Sequence, residues 1–296
     1  MKKKDKKIIF TIITLIVVLI AQSFYKPSQS NIEQVDKITA EYNDLQVYFL
    51  DVGQADCILI RNQDKNMLID AGNNEDGSKL VTYFKELGIK EFEYVVGTHP
   101  HEDHIGGLDD IINSFKINNV LLPEAYTTTK TFSDVLTSIE NKNLEITVPN
   151  IGDIINFGGT NIEVVYIGNN EEDLNDNSVV LKLTYGKYSY LFTGDATSNC
   201  EEKMLDKDIK ADVLKVAHHG SEYSSTDNFL KKVNPEYAII SVGKDNSYGH
   251  PSDKIIKRLQ KYTQNIYQTQ DYGTIVTISN GNNITIKYLN TNTNGW

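Results

Sequence analysis

All six histidines of this chain, His99, His101, His104, His218, His219 and His250, lie in loops that come after apolar, strand-like segments. A histidine placed for packing would as readily fall on a helix face or inside a strand. Residues that carry chemistry gather on loops at strand ends, held there by a rigid scaffold. The chain must therefore fold around strands that end in polar, chemically active loops.

Three of the six lie in "GTHPHEDHIGGLDD", residues 97–110. His99 and His101 alternate on an extended loop, so they point the same way and can share one metal. Asp103 and His104 come where the chain turns into a helix, and can face a second metal. Gly106 and Gly107 allow a tight turn and close backbone approach. Other strand ends are polar too. "YLFTGD" closes on Asp195, which can serve as a ligand or as the N-cap of the next helix. "LIDAG" closes on Asp70, read either as a turn residue before Gly72 or as a carboxylate orienting the His loop. "LKVAHHGS" closes on two adjacent histidines, which cannot easily both face one metal on an extended chain. His218 is taken as the ligand and His219 as its neighbour or a substrate contact.

The rest of the pattern is mixed α/β. "LQVYFLDVG", "DCILIRN" and "NMLIDAG" read as three short strands, and "GSKLVTYFKELG" as a helix stopped by Gly88. "FEYVVGT" is a strand running into the His loop, and one helix starts at "IGGLDDIINSF". Residues 145–193 are β-rich; helices and strands then alternate to the end. Antiparallel-looking pairs interrupted by amphipathic helices predict an α/β (α+β) domain of two stacked sheets with helices outside. Cys57 reads as a small core residue of a strand, Cys200 lies in a helix, and neither has zinc-cluster spacing.

The N-terminus reads as a targeting segment. "MKKKDKK" precedes fourteen uncharged apolar residues, Ile8 to Ala21. That suits a signal-peptide core and, extended through Tyr25, a membrane anchor. The flanking lysines stay cytoplasmic, so the body faces outward, anchored or secreted. Residues 1–25 are thus the signal or anchor, 26–44 a polar linker, and 45–296 the outward-facing domain. The five Lys and one Asp of residues 1–7 contribute +4 to a formal net charge of −11, leaving −15 on the rest. So acidic a body repels polyanions at long range, which weighs against a large nucleic-acid groove.

"LIDAG", "THPHEDHIGG", "LFTGDA" and "HHGS", in that order, resemble the metallo-β-lactamase fold superfamily over residues 45 to 290. "YFLDVGQADCILI", "DNSVVLKL", "KVAHHGS" and "YGHPS" are more specifically similar to the ComEC group, the extracellular hydrolase domain of DNA-uptake channels and its stand-alone relatives. The resemblance implies a four-layer αββα sandwich. It also implies a dinuclear site held by His99, His101, Asp103, His104, Asp195 and His218, with Asp70 as a buried support. Many superfamily members add a His before the bridging Asp. Residues 105–217 contain none, and "NDNSVV" offers Asn177 and Ser178 as polar contacts instead. The first metal is then short of one imidazole, and one site is expected to be weak.

Mixed imidazole and carboxylate donors suit zinc best and manganese next. Two such ions sharing a water make hydroxide available near neutral pH and polarise a phosphoryl or carbonyl oxygen. Asp103, His219 and His250 are the catalytic candidates, the two histidines as proton donors to a leaving oxygen. The expected activity is a phosphodiesterase or nuclease acting on single-stranded DNA or a cell-wall polymer. The alternatives are hydrolysis of cell-wall phosphate esters, such as phosphocholine esters, or of an amide or ester. A binding module without turnover is a further reading, opposed by the complete His/Asp set.

Overall fold

The strand Leu45–Phe49 shows how the layers arise. Successive side chains of a strand point to opposite faces. Leu45, Val47 and Phe49 enter one core, whereas Tyr48 enters another on the far side. The neighbouring strands Ile58–Asn62 and Lys65–Ile69 divide alike: Ile58, Ile60, Met67 and Ile69 face the first core, Leu59 and Leu68 the second. A strand buried on both faces reads as a nearly continuous apolar run, which is how these segments read in the sequence.

The computed structural model describes residues 32–125, 127–169 and 172–289. A nine-stranded sheet runs in the order Glu33–Gln34, Ile284–Leu289, Thr274–Ser279, Leu45–Phe49, Ile58–Asn62, Lys65–Ile69, Tyr94–Val96, Val120–Leu121, Ile146–Thr147. A seven-stranded sheet runs Ile154–Phe157, Thr160–Tyr166, Val180–Tyr185, Tyr188–Phe192, Val213–Lys215, Tyr237–Ile240, Asn265–Gln268. Both are mixed. Antiparallel hairpins give way to parallel strands from Lys65–Ile69 onward in the first sheet and from Tyr188–Phe192 onward in the second.

One core lies between the sheets, with Phe49, Ile60 and Val96 meeting Ile162, Leu181 and Phe192. The outer face of the first sheet is covered by helices Gly77–Glu86, Leu108–Ser114 and Lys130–Asn141, through Leu80, Phe84, Ile111, Val135 and Ile139. The second sheet is covered by Ser198–Met204, Asp227–Val233 and Asp253–Leu259, through Cys200, Met204, Phe229, Leu230 and Ile255. The architecture is the expected αββα sandwich. Hydroxyl N-caps start four of these helices: Thr129 accepts from Phe132 N–H, Thr197 from Asn199 N–H, Thr226 from Phe229 N–H and Ser252 from Ile255 N–H. Cys57 and Cys200 are free, buried core residues.

Two local readings are corrected. The single helix expected at residues 105–115 is two, Glu102–Ile105 and Leu108–Ser114, parted at Gly106-Gly107. A Cβ on Gly106 would lie 2.2 Å from the backbone of Asn73 and Asn74, and one on Gly107 would lie 2.5 Å from the Ala71 carbonyl. These glycines serve close approach: their N–H groups donate to the carbonyls of Gly72 and Ala71. Part of the segment read as linker belongs to the body. Glu33–Gln34 pairs in parallel with Lys287 and Tyr288, and Ile32, Ile38 and Ala40 pack on the cores. Short apolar contacts in a polar stretch carry too little period to be read in advance. The strand Asn265–Gln268 and the brief helix Thr269–Tyr272 after it come in addition to the elements read from the sequence.

The N-terminal signal or anchor falls outside the described residues. Among the described residues no helix is long and apolar enough to cross a membrane.

Candidate metal centre

The parallel pairing of Lys65–Ile69 with Tyr94–Val96 puts Ile69 beside Val96, so Asp70 and the His loop leave the sheet together. Asp70 is buried and takes three hydrogen bonds. Thr98 N–H donates to it at 2.7 Å, the Thr98 hydroxyl at 2.8 Å and His104 Nδ1 at 2.7 Å. A carboxylate can only accept, so His104 Nδ1 carries the proton given to Asp70, and Nε2 is the ring nitrogen turned toward the other donors. That Nε2 points at Asp195 Oδ1, 3.2 Å away. Asp70 therefore does orient the His loop, as one of its two readings anticipated.

Asp195 follows the strand Tyr188–Phe192 of the other sheet. Its N–H donates to Ser178 Oγ at 3.1 Å. Ser178 is fully buried and Asn177 nearly so. Ser178 thus holds the Asp195 loop rather than offering itself to a substrate.

The two adjacent histidines depart from expectation. The chain is not extended there: His218 (φ 51°, ψ 47°) and His219 (φ 51°, ψ 24°) are both left-handed, with Gly220 at φ 83° after them. Both rings consequently face Asp195, with Nε2 atoms 3.7 and 3.8 Å from its Oδ2. His219 is the more deeply set. Its Nδ1–H donates to the Ser241 carbonyl at 2.9 Å and its Nε2 lies 3.4 Å from Asp103 Oδ2. Its ring is buried, whereas the His218 side chain is 26% exposed. His219, read as the neighbour of the ligand, is thus the deeper of the two and the one that joins Asp103, His104 and Asp195, with His218 nearer the solvent. For the same reason His219 is not placed to hand a proton to a leaving group.

Asp103, His104, Asp195 and His219 offer ligand atoms that all lie within 4.8 Å of one another. His104 Nε2, His219 Nε2 and Asp195 Oδ1 are buried and, apart from facing the other donors of this group, have no hydrogen-bond partner. Orphaned, converging, buried donors of this kind fit a cation. Asp56, Asp70 and His104 form a second such group; there Asp70 is bonded to His104 Nδ1 and Asp56 Oδ2 is paired with Lys215.

The electrostatics agree. Burial pushes the His104 pKa down, but the carboxylates of Asp195, Asp70 and Asp103 outweigh it and hold the ring well above the ordinary histidine range. Burial would raise Asp195, but His104, His219 and His218 hold it well below the ordinary carboxylate range. Two close carboxylates backed by a third make this a strong site for positive charge.

His99 and His101 form the other end. The Thr98 hydroxyl, its proton given to Asp70, can accept from His99 Nδ1 at 3.1 Å, which turns His99 Nε2 toward His101 Nδ1, also 3.1 Å away. Two nitrogens on one tetrahedral ion at 2.0–2.1 Å stand about 3.3 Å apart. The pair fits a metal, but neither residue belongs to a group of three donors among the described residues. His250 is half-buried, its ring stacked on Tyr248 at 5.8 Å and edge-on to His218 at 5.6 Å. Its pKa is pushed down by burial and by His218. A cleft of about 560 Å³ opens at Asp103, lined also by Gln54, Asn74, Glu75, Glu102 and the exposed Tyr248.

Asp56, Thr98, Lys215 and Ser241 were not singled out in the sequence. A signal existed for two of them: Asp56 in "QADCILI" and Lys215 in "DVLKVA" are charges beside or inside apolar strands.

This sandwich, with a candidate di-metal site across the strand ends of its two sheets, defines a metallo-hydrolase fold. The sequence model of the metallo-beta-lactamase superfamily matches residues 50–244, and the chain belongs to that superfamily. Within it the chain is similar to competence-type proteins. It is 28% identical over 251 residues to ComE operon protein 3 of Bacillus subtilis (strain 168), covering 78% of this chain and 32% of that one. It is 28% identical over 237 residues to Recombination protein 2 of Haemophilus influenzae, covering 78% and 28%. The chain spans about a third of the length of these relatives. Among solved structures, CmlA, a diiron beta-hydroxylase from Streptomyces venezuelae, matches with TM-score 0.52 at 13% identity, over 78% of this chain and 53% of that one. Igni18, a metallo hydrolase from Ignicoccus hospitalis KIN4/I, matches with TM-score 0.51 at 15% identity, over 79% and 98%. At these identities the structures share the fold.

Proposed function

We propose that this protein is a metal-dependent phosphodiesterase acting on the outer side of the membrane. The observation that carries the reading is the convergence of three orphaned, buried donors, His104 Nε2, His219 Nε2 and Asp195 Oδ1, beside an open polar cleft. Asp103, His104, Asp195 and His219 would hold one divalent ion, and His99 and His101 a second, weaker one. Zinc suits this donor set best, manganese next. When bound, such ions lower the pKa of water and polarise a phosphoryl oxygen.

The chain's own residues supply the rest. Asp70 fixes the tautomer and direction of His104, and Ser241 does the same for His219. His250 and the partly exposed His218 stand on the solvent side of Asp195 and are the histidines placed to give a proton to a leaving oxygen. The fold alone does not choose a reaction, as the diiron hydroxylase neighbour shows. The competence and recombination relatives support a nucleic-acid phosphodiester, with single-stranded DNA as the first substrate to try.

One observation favours a second reading. Glu75, Glu102 and Asp103 line the cleft, and no Lys or Arg is among its lining residues. A polyanion gains nothing from such walls. A phosphate ester on a cell-wall polymer, approaching with a neutral or cationic portion, fits them better.

The test is to purify the chain, measure its metal content, and assay a bis-aryl phosphodiester, single-stranded DNA and a phosphocholine ester with Zn²⁺ or Mn²⁺. Hydrolysis of a phosphodiester that a chelator abolishes is expected. Failure to cleave any of them in metal-replete buffer would sink the proposal.

A further inference from the structure

Beneath the candidate ligands lies a charge pair that the chemistry above does not use. Lys215 is fully buried, and its Nζ stands 2.6 Å from Oδ2 of Asp56, itself 1% exposed. The other partner of the ammonium is the Val216 carbonyl, 3.1 Å away. Burying two charges is expensive, and apolar residues of similar volume commonly serve stability as well. Stability alone is thus a poor reason for the pair, and its position suggests another.

Asp56 comes from the loop between Leu45–Phe49 and Ile58–Asn62 of the nine-stranded sheet. Lys215 ends the strand Val213–Lys215 of the seven-stranded sheet. The candidate ligands divide the same way: His99, His101, Asp103 and His104 follow the first sheet, Asp195 and His219 the second. The Asp56 N–H donates to the Asp103 carbonyl at 3.0 Å, and its carbonyl accepts from Gly72 N–H at 2.8 Å. Its carboxylate lies 3.5 Å from His219 Nδ1 and 3.9 Å from His104 Nδ1. The Lys215 carbonyl accepts from the Thr193 hydroxyl at 2.6 Å, two residues before Asp195. One end of the pair is bonded to the chain around Asp103, the other to the chain entering Asp195 and His219.

The geometry points to Asp56 and Lys215 as positioning residues: a cross-sheet ion pair that sets the spacing of the two halves of the metal centre, and with it metal affinity. The inference rests on the metal reading above. Both nearby imidazoles already give their Nδ1–H elsewhere, to Asp70 and to Ser241. The pair therefore acts through where the halves sit and through the field behind the rings, with Lys215 offsetting the Asp56 charge.

The test uses the full chain, stripped of metal. Zn²⁺ affinity is read by competition with a chromogenic chelator, and ligand geometry by the visible bands of the Co²⁺-loaded protein. The variants are Asp56→Asn and the double variant Asp56→Asn with Lys215→Met, which leaves no buried charge unpaired. A wild type that binds no metal sinks the metal reading itself, whatever the variants do. With a binding wild type, both variants are expected to lose about 10- to 100-fold in Zn²⁺ affinity and to shift the Co²⁺ bands. Wild-type affinity and bands in a folded variant, with only its melting temperature changed, would overturn the inference. Should neither variant fold, the ¹⁵N-labelled wild type decides. The Lys215 Nζ resonance moves on the first equivalent of Zn²⁺ if the pair is coupled to the centre, and an unmoved resonance overturns it.

Discussion

The two ends of the candidate di-metal site are built to different degrees. At one end Asp103, His104, Asp195 and His219 bring four donors from both sheets within 4.8 Å. Each imidazole there is anchored from behind, His104 by Asp70 and His219 by Ser241. At the other end His99 and His101 face each other at 3.1 Å without a carboxylate between them. Preorganisation and negative charge both favour the first end. The comparison teaches that the His loop serves both ends and that its histidines alone do not make the stronger one. Affinity follows the carboxylates and the anchors: Asp103 from that loop, Asp195 from the second sheet, and Asp70 and Ser241 behind the rings.

Breaking the stronger end should have the largest effect. His104→Ala removes the one ring that touches both Asp70 and Asp195, and is expected to take metal-dependent hydrolysis to background and abolish the tight metal equivalent. Metal analysis after dialysis, beside a rate assay, checks it; retained metal and activity would refute the site. His250→Ala leaves both metal positions intact. Turnover should fall by roughly 10²-fold or more, with metal content and substrate KM little changed. A fall in metal content instead would make His250 part of the metal site. Asp70→Asn keeps the shape and removes the charge behind His104. Metal affinity should drop about 10- to 100-fold, read by chelator competition.

Smaller effects reach the site through the backbone. Gly106→Ala forces a methyl against the Asn73–Asn74 backbone. It should cost about 1–3 kcal/mol in thermal unfolding, and weaken metal binding by moving the His loop from Asp70. Reductant is expected to leave the melting temperature unchanged, because Cys57 and Cys200 are unbridged core residues. A drop on reduction would expose a disulfide.

The sequence showed one half of this site more clearly than the other. His99, His101, Asp103 and His104 share one short loop, so their spacing alone brings them together, and Asp195 shows itself by ending a strand. The sandwich was legible because strands buried on both faces leave unbroken apolar runs. The arrangement of His218 and His219 was not, because an extended chain would turn the two rings apart. Two consecutive left-handed residues turn both rings to Asp195, and no local pattern announces that conformation in non-glycine residues. Asp56 and Lys215 escaped because their meaning is a contact between sheets, 2.6 Å wide and 159 positions apart in a chain whose pairing the sequence does not state. The Glu33–Gln34 strand was hidden by its brevity.

The order in which metal fills the two ends tests the central claim most directly. Metal-free wild type and His99→Ala are titrated with Zn²⁺ in a calorimeter. The account predicts two phases in the wild type, with the tight first equivalent surviving in His99→Ala and the weaker one lost. Loss of the tight equivalent in His99→Ala, or two equal equivalents in the wild type, would contradict it.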